Sequence, residues 1–114
     1  MKKKILVVED TTDTREFMKF LLEMDGYFVI EAVNGMDAVE TVKRQSPDLV
    51  LMDVSMPQMD GLTATRLIRK SGVNANVPII AVTAHGEALY NRAIEAGCNT
   101  LIPKPIDLDV KVRM

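Results

Sequence analysis

The chain has 114 residues, 47% of them hydrophobic and 26% charged, with a formal net charge of -2. One domain of this size can bury a core without disulfides or metals, so residues 1–114 are expected to form a single domain. The charge leaves no electrostatic footprint for nucleic acid, and no apolar run approaches the length of a membrane span.

Lys2-Lys3-Lys4 is the one basic cluster of note, and the apolar run behind it is too short for a signal peptide and meets Glu9-Asp10. The single cysteine, Cys98, excludes an internal disulfide and fits a reducing, cytoplasmic compartment. As a lone small apolar residue it is expected in the core.

Strand and helix signals then alternate along the chain. Ile5-Leu6-Val7-Val8 reads as the first strand. Asp13 followed by Glu16 predicts a capping box that opens a helix. Phe17, Phe20, Leu21 and Met24 follow the i, i+3, i+4, i+7 spacing and predict its apolar face. Asp25-Gly26 ends it. Tyr27-Phe28-Val29-Ile30 is aromatic and β-branched, a second strand. Asn34 is positioned to cap a second helix with Ala38, Val39 and Val42 on one face, ending before Ser46-Pro47 because a residue before proline avoids helical geometry.

The third strand is expected at 48–53. The loop Ser55-Met56-Pro57-Gln58-Met59-Asp60-Gly61 leads to a third helix with Ala64, Leu67 and Ile68 inward and Gly72 as its stop. Arg66, Arg69 and Lys70 read as its solvated face. The fourth strand is expected at 77–83, before a fourth helix that carries Leu89, Ala93 and Ala96 and stops at Gly97. The fifth strand is expected at 100–103. Asp107 is positioned to cap a short fifth helix, of which only about two turns precede Met114 at 3.6 residues per turn.

Short apolar strands alternating with helices imply an α/β fold, a five-stranded parallel sheet covered on both faces. Ligands bind such sheets outside the carboxyl ends of the strands. Four strands here end in polar residues of different kinds: Glu9-Asp10, Asp53, Thr83 and Lys104. They are expected to converge on one site. Each acidic residue taken alone reads as a cap or a turn; the set does not. Three clustered carboxylates repel one another and call for a cation, and hard oxygen ligands suit Mg2+. A carboxylate can attack phosphorus to give an aspartyl phosphate. A lysine can neutralise one phosphoryl oxygen, and a threonine hydroxyl can donate to another.

At these residues the sequence resembles the receiver domain of two-component response regulators, in the single-domain chemotaxis-receiver style. The resemblance rests on Ile-Leu-Val-Val-Glu-Asp at 5–10, Leu-Met-Asp-Val-Ser-Met-Pro at 51–57, Asp60-Gly61, Val82-Thr83-Ala84 and Lys104-Pro105. It covers essentially the whole chain and implies the doubly wound, flavodoxin-like strand order 2-1-3-4-5.

By that resemblance Asp53 would be the phosphoacceptor. Asp10, Asp53 and the backbone carbonyl of Ser55 would ligate Mg2+, with Glu9 acting mainly through water. Thr83 would swing toward the phosphoryl group, Ala84 would keep the site open, Lys104 would contact the phosphoryl group, and the Lys104–Pro105 bond would be cis. The phosphodonor would be a sensor histidine kinase or a histidine phosphotransfer protein of a phosphorelay. The chain would be a signalling switch rather than a turnover enzyme, with another protein as its effector if no output domain follows. Receivers usually carry Tyr or Phe three residues before the lysine. Leu101 stands there instead and is expected to stay a core residue during switching.

Three other readings stand beside this one. A flavodoxin-like FMN binder would use Thr11, Thr12 and Thr14 as a phosphate loop, but that loop lacks glycine and adjoins two carboxylates. A Mg2+-dependent phosphohydrolase would place a second aspartate where Ser55 stands. A receiver fold used only for binding, without phosphorylation, departs least. His85, near the mouth of the site, is read either as an exposed loop residue or as one that affects hydrolysis of the aspartyl phosphate. Met52, Met56 and Met59 are read as core or loop residues, since thioethers prefer soft metals. Tyr90 is read as a surface packing residue.

Overall fold

A computed structural model of the protein describes residues 2–54, 60–84 and 86–104. In chain order its elements are β1 Lys4–Val8, α1 Thr12–Met24, β2 Phe28–Ala32, α2 Gly35–Gln45, β3 Leu49–Asp53, α3 Gly61–Lys70, β4 Ile79–Thr83, α4 Gly86–Ala96 and β5 Thr100–Pro103. The expected alternation holds throughout, with strand limits moved by at most two residues. The fifth helix expected from Asp107, the Lys104–Pro105 peptide, Ser55 and His85 lie outside the described residues.

All neighbouring strands pair in parallel, in the order β2-β1-β3-β4-β5. Side chains alternate between the two faces of each strand. Leu6, Val8, Val50, Met52, Ile79 and Ala81 face α2, α3 and α4, and meet Ala38, Val42, Leu62, Ile68, Ala93 and Cys98. Ile5, Val7, Leu49, Leu51, Val82 and Ile102 form the other layer with Met18 and Leu22 of α1. The central strands are buried on both faces, which is why they read as unbroken apolar runs.

The caps of α2 and α3 are made by their own sequence. Asn34 Oδ1 accepts from the Asp37 amide at 2.8 Å, and Asp60 Oδ1 accepts from the Thr63 amide at 2.9 Å. Ser46, before Pro47, takes a left-handed conformation with φ 47° and stops α2 as expected.

Helix α1 departs from the reading of its sequence in two ways. The Asp13–Glu16 box does not open it: its N-cap is Thr11, which makes no side-chain cap bond, and Asp13 is already in the first turn. Instead the Thr11 amide donates to Glu9 Oε2 at 3.1 Å, so the acidic turn satisfies a donor at the helix entry. The buried face is also different. Met18 and Leu22 are buried and Leu21 packs partly against them, whereas Phe17, Phe20 and Met24 are 61%, 58% and 70% exposed. Apolar residues at 17, 18, 20, 21, 22 and 24 make two overlapping stripes, and the one that packs on Ile5, Val7 and Leu51 is the buried one.

Two readings of α3 are corrected as well. Leu67 is exposed, while Leu62, Ala64, Thr65 and Ile68 are buried. Arg69 is partly buried and is engaged by backbone rather than by solvent alone. It donates from Nε to the Gly97 carbonyl at 2.9 Å, from Nη1 to the Ala75 and Val77 carbonyls at 2.7 and 2.6 Å, and from Nη2 to Asn99 Oδ1 at 3.0 Å. One guanidinium therefore ties the end of α3 to the entries of β4 and β5. Charge and position on a helix could not reveal this, because Gly97 and Asn99 lie about 30 residues on, and the Ala75 and Val77 carbonyls turn back to Arg69 only through the loop after α3.

Candidate acidic site at the strand ends

The parallel topology brings β1, β3, β4 and β5 to one edge of the sheet with their carboxyl ends together. Register fixes their relative heights: Val8 pairs with Met52, Asp53 with Val82, and Thr83 with Pro103. The ends are tied further by backbone bonds, from the Val54 amide to the Val82 carbonyl at 3.1 Å and from the Lys104 amide to the Thr83 carbonyl at 2.9 Å.

Glu9, Asp10 and Asp53 each offer a carboxylate oxygen, and these oxygens lie within 4.8 Å of one another. Glu9 is 1% and Asp53 is 4% exposed, whereas Asp10 lies at the surface. Two buried carboxylates with a third at the mouth leave an open side toward solvent. Lys104 Nζ reaches across this cluster, 3.1 Å from Glu9 Oε1 and 3.4 Å from Asp53 Oδ2. Burial works against the Lys104 ammonium. Its hydrogen bond to Glu9, the charges of Asp53 and Glu9, and its bond to Asp53 outweigh this and hold its pKa above the usual lysine value. Thr83 is fully buried at the end of β4, and Ala84 beyond it is exposed.

The structure thus brings together Glu9, Asp10, Asp53 and Lys104, with Thr83 on the neighbouring strand end. The donor set fits Mg2+. Its members are hard oxygens, they converge, and a cation there would relieve the repulsion that one ammonium offsets only in part.

Two residues carry more of the site than their sequence setting indicated. Gly61, the first residue of α3, sits so close to β3 that a Cβ there would lie 2.8 Å from Met52 Cγ and 2.9 Å from the Val54 Cα. Only glycine lets α3 begin directly over the strand end that holds Asp53. Arg15 Nη1 donates to the Glu9 carbonyl at 2.8 Å. Its place one turn into α1, between Asp13 and Glu16, did not single it out.

A family model for the response regulator receiver domain matches residues 5–113. The chain belongs to the receiver domain family. Chemotaxis protein CheY of Bacillus subtilis (strain 168) is 41% identical to this receiver over 111 residues, covering 96% of this chain and 91% of that protein. The CAI-1 autoinducer sensor kinase/phosphatase CqsS of Vibrio cholerae is also 41% identical over 111 residues, but the receiver spans only 16% of its length. Among solved structures, the receiver domain of a sensor histidine kinase from Pseudomonas aeruginosa PAO1 is 36% identical with a TM-score of 0.84, covering 93% of this chain and 88% of that one. That protein holds a magnesium ion coordinated in its active-site cleft. The receiver family is a signalling module, and the doubly wound architecture expected from the sequence is the one observed.

Proposed function

We propose that this receiver accepts a phosphoryl group on Asp53 from the phosphohistidine of a sensor histidine kinase or histidine phosphotransfer protein. The observation that carries the reading is the buried Asp53 carboxylate held against Lys104 beside Glu9 and Asp10. An Asp53 oxygen attacks phosphorus, a P–O bond forms, the P–N bond to the donor imidazole breaks, and the imidazole leaves with the electron pair and is protonated. Asp10 and Asp53 would hold Mg2+, with Glu9 behind them and the Ser55 carbonyl as the further ligand expected from the family. Mg2+ supplies positive charge for the phosphoryl oxygens. Lys104 moves from its carboxylate partners to one phosphoryl oxygen, and the Thr83 hydroxyl donates to another.

The reading also includes a cytoplasmic location and an effector protein that recognises the switched surface. Output is a shift in population between two surface states of the same fold. Leu101, partly buried and packed on the α4 side of the sheet, keeps its place in both states. Incubation with a small phosphodonor and Mg2+ is expected to add one phosphoryl group by mass, and Asp53→Asn to abolish the addition. Equal labelling of the Asn variant would refute the assignment, and no labelling of the wild type would favour a receiver fold used only for binding.

A further inference from the structure

The turn that carries two of the three carboxylates is held from outside the site by one side chain. Arg15 Nη1 donates to the Glu9 carbonyl at 2.8 Å while its Nε donates to Glu31 Oε1 at 3.3 Å. The Arg15 side chain is 13% exposed, and Glu31 also meets Lys19 Nζ at 3.6 Å. One guanidinium therefore bridges the end of β1 and the exit of β2. The Glu9 amide is fixed on the same side, donating to the Ala32 carbonyl at 3.1 Å.

The Glu9 carbonyl belongs to the peptide plane that continues into the Asp10 amide. That plane is rigid, so fixing its oxygen fixes the direction in which the chain enters Asp10. Asp10 is the exposed member of the cluster and has the least packing of its own to orient it. The planar fork of arginine suits this duty, because it holds two partners at once where lysine is a single point charge.

We propose that Arg15 is a positioning residue for the cation site: it holds the Glu9–Asp10 peptide so that Asp10 faces Asp53, and Glu31 holds Arg15. The inference rests on the cation reading above and assigns a residue that touches no cation and no phosphoryl group. Positioning and charge make opposite predictions. Removing a positive charge near an acidic cluster strengthens cation binding by Coulomb attraction alone. Removing a residue that orients a ligand weakens it, typically by about 10–100-fold.

Mg2+ affinity of the full chain is to be measured by calorimetry for wild type, Arg15→Met, Arg15→Lys and Lys19→Met. Arg15→Met is expected to bind about 10-fold more weakly. Arg15→Lys keeps the charge and is expected to bind more weakly too, because it cannot span both partners. Lys19→Met removes a charge that meets Glu31 but not the Glu9 carbonyl, and is expected to bind at least as tightly as wild type. Phosphoryl labelling of the Arg15 variants should need more Mg2+ for half-maximal rate yet reach the wild-type rate at saturation, a split that general loss of folding would not produce. Arg15→Met binding as tightly as wild type, or more tightly, overturns the proposal. If that variant melts below the assay temperature, wild-type affinity in Arg15→Lys overturns it. A wild-type chain that binds no Mg2+ overturns the cation reading and this inference together, whereas a wild type that binds with unchanged Arg15 variants overturns this inference alone.

Discussion

Gly61 and Lys104 show how single residues set the site from opposite directions. Gly61 matters for what it lacks. Gly61→Ala would drive a methyl group into the backbone of Asp53 and Val54 as well as into Met52, and the backbone cannot yield as the tip of a side chain could. Overpacking of this kind costs about 1–3 kcal/mol, and Gly61→Ala is expected at the upper end in a urea melt. A loss under about 0.5 kcal/mol would mean that α3 can lift away from Asp53 freely. Lys104 matters for its charge. Its pKa is raised in the folded protein, so the stability it contributes is fully present below the ordinary lysine value of 10.5 and is lost as pH rises through the folded value. In EDTA, Lys104→Met is expected to melt below wild type at neutral pH, with the gap closing only above about pH 10.5. A gap that closes well below that pH would place the stabilising charge elsewhere. The sequence placed the lysine at its strand end and among these carboxylates; that it pairs with Glu9, 95 residues away, at a shorter distance than with Asp53 was not legible there.

At the scale of elements, α1 is the instructive helix. Its amphipathic character was visible, but not the phase in which it docks. Met18 and Leu22 lie against Ile5, Val7 and Leu51, while Phe17, Phe20 and Met24 form a stripe open to solvent. Helical periodicity fixes the spacing of a face and leaves its rotation to the packing partner. Leu22→Ala is expected to cost about 2–5 kcal/mol, the range for truncating a buried leucine. Phe20→Gln is expected to stay within about 0.5 kcal/mol of wild type. Urea melts of the two variants test the assignment, and the reverse order would restore the face read from spacing alone. The same contrast holds within α3, where Arg69 looked like one of three surface cations and is instead a clamp on four acceptors.

For the molecule as a whole, the acidic edge makes stability depend on cation concentration. Glu9, Asp10 and Asp53 repel one another, and a ligand that binds only the folded chain stabilises it by about 2.7 kcal/mol at 100-fold over its Kd. Excess Mg2+ is therefore expected to raise the melting temperature by several degrees. Asp10→Asn removes one charge from the cluster, so it should melt above wild type in EDTA and lose most of the response to Mg2+. An undiminished response in that variant would exclude Asp10 as a ligand. The described residues include no helix long and apolar enough to cross a membrane.

The sequence by itself determined the order of strands and helices, the sheet buried on both faces and the residues at each strand end. Those follow from local spacing, apolar runs and turn chemistry, which neighbouring residues decide among themselves. Which stripe of α1 turns inward, why α3 must start with glycine, where Arg69 and Arg15 reach, and how Lys104 bridges Glu9 and Asp53 were decided only by the tertiary structure. Each depends on atoms brought close by the sheet register, the loops and the docking of helices on it, and neither local spacing nor residue type carries a signal of those meetings.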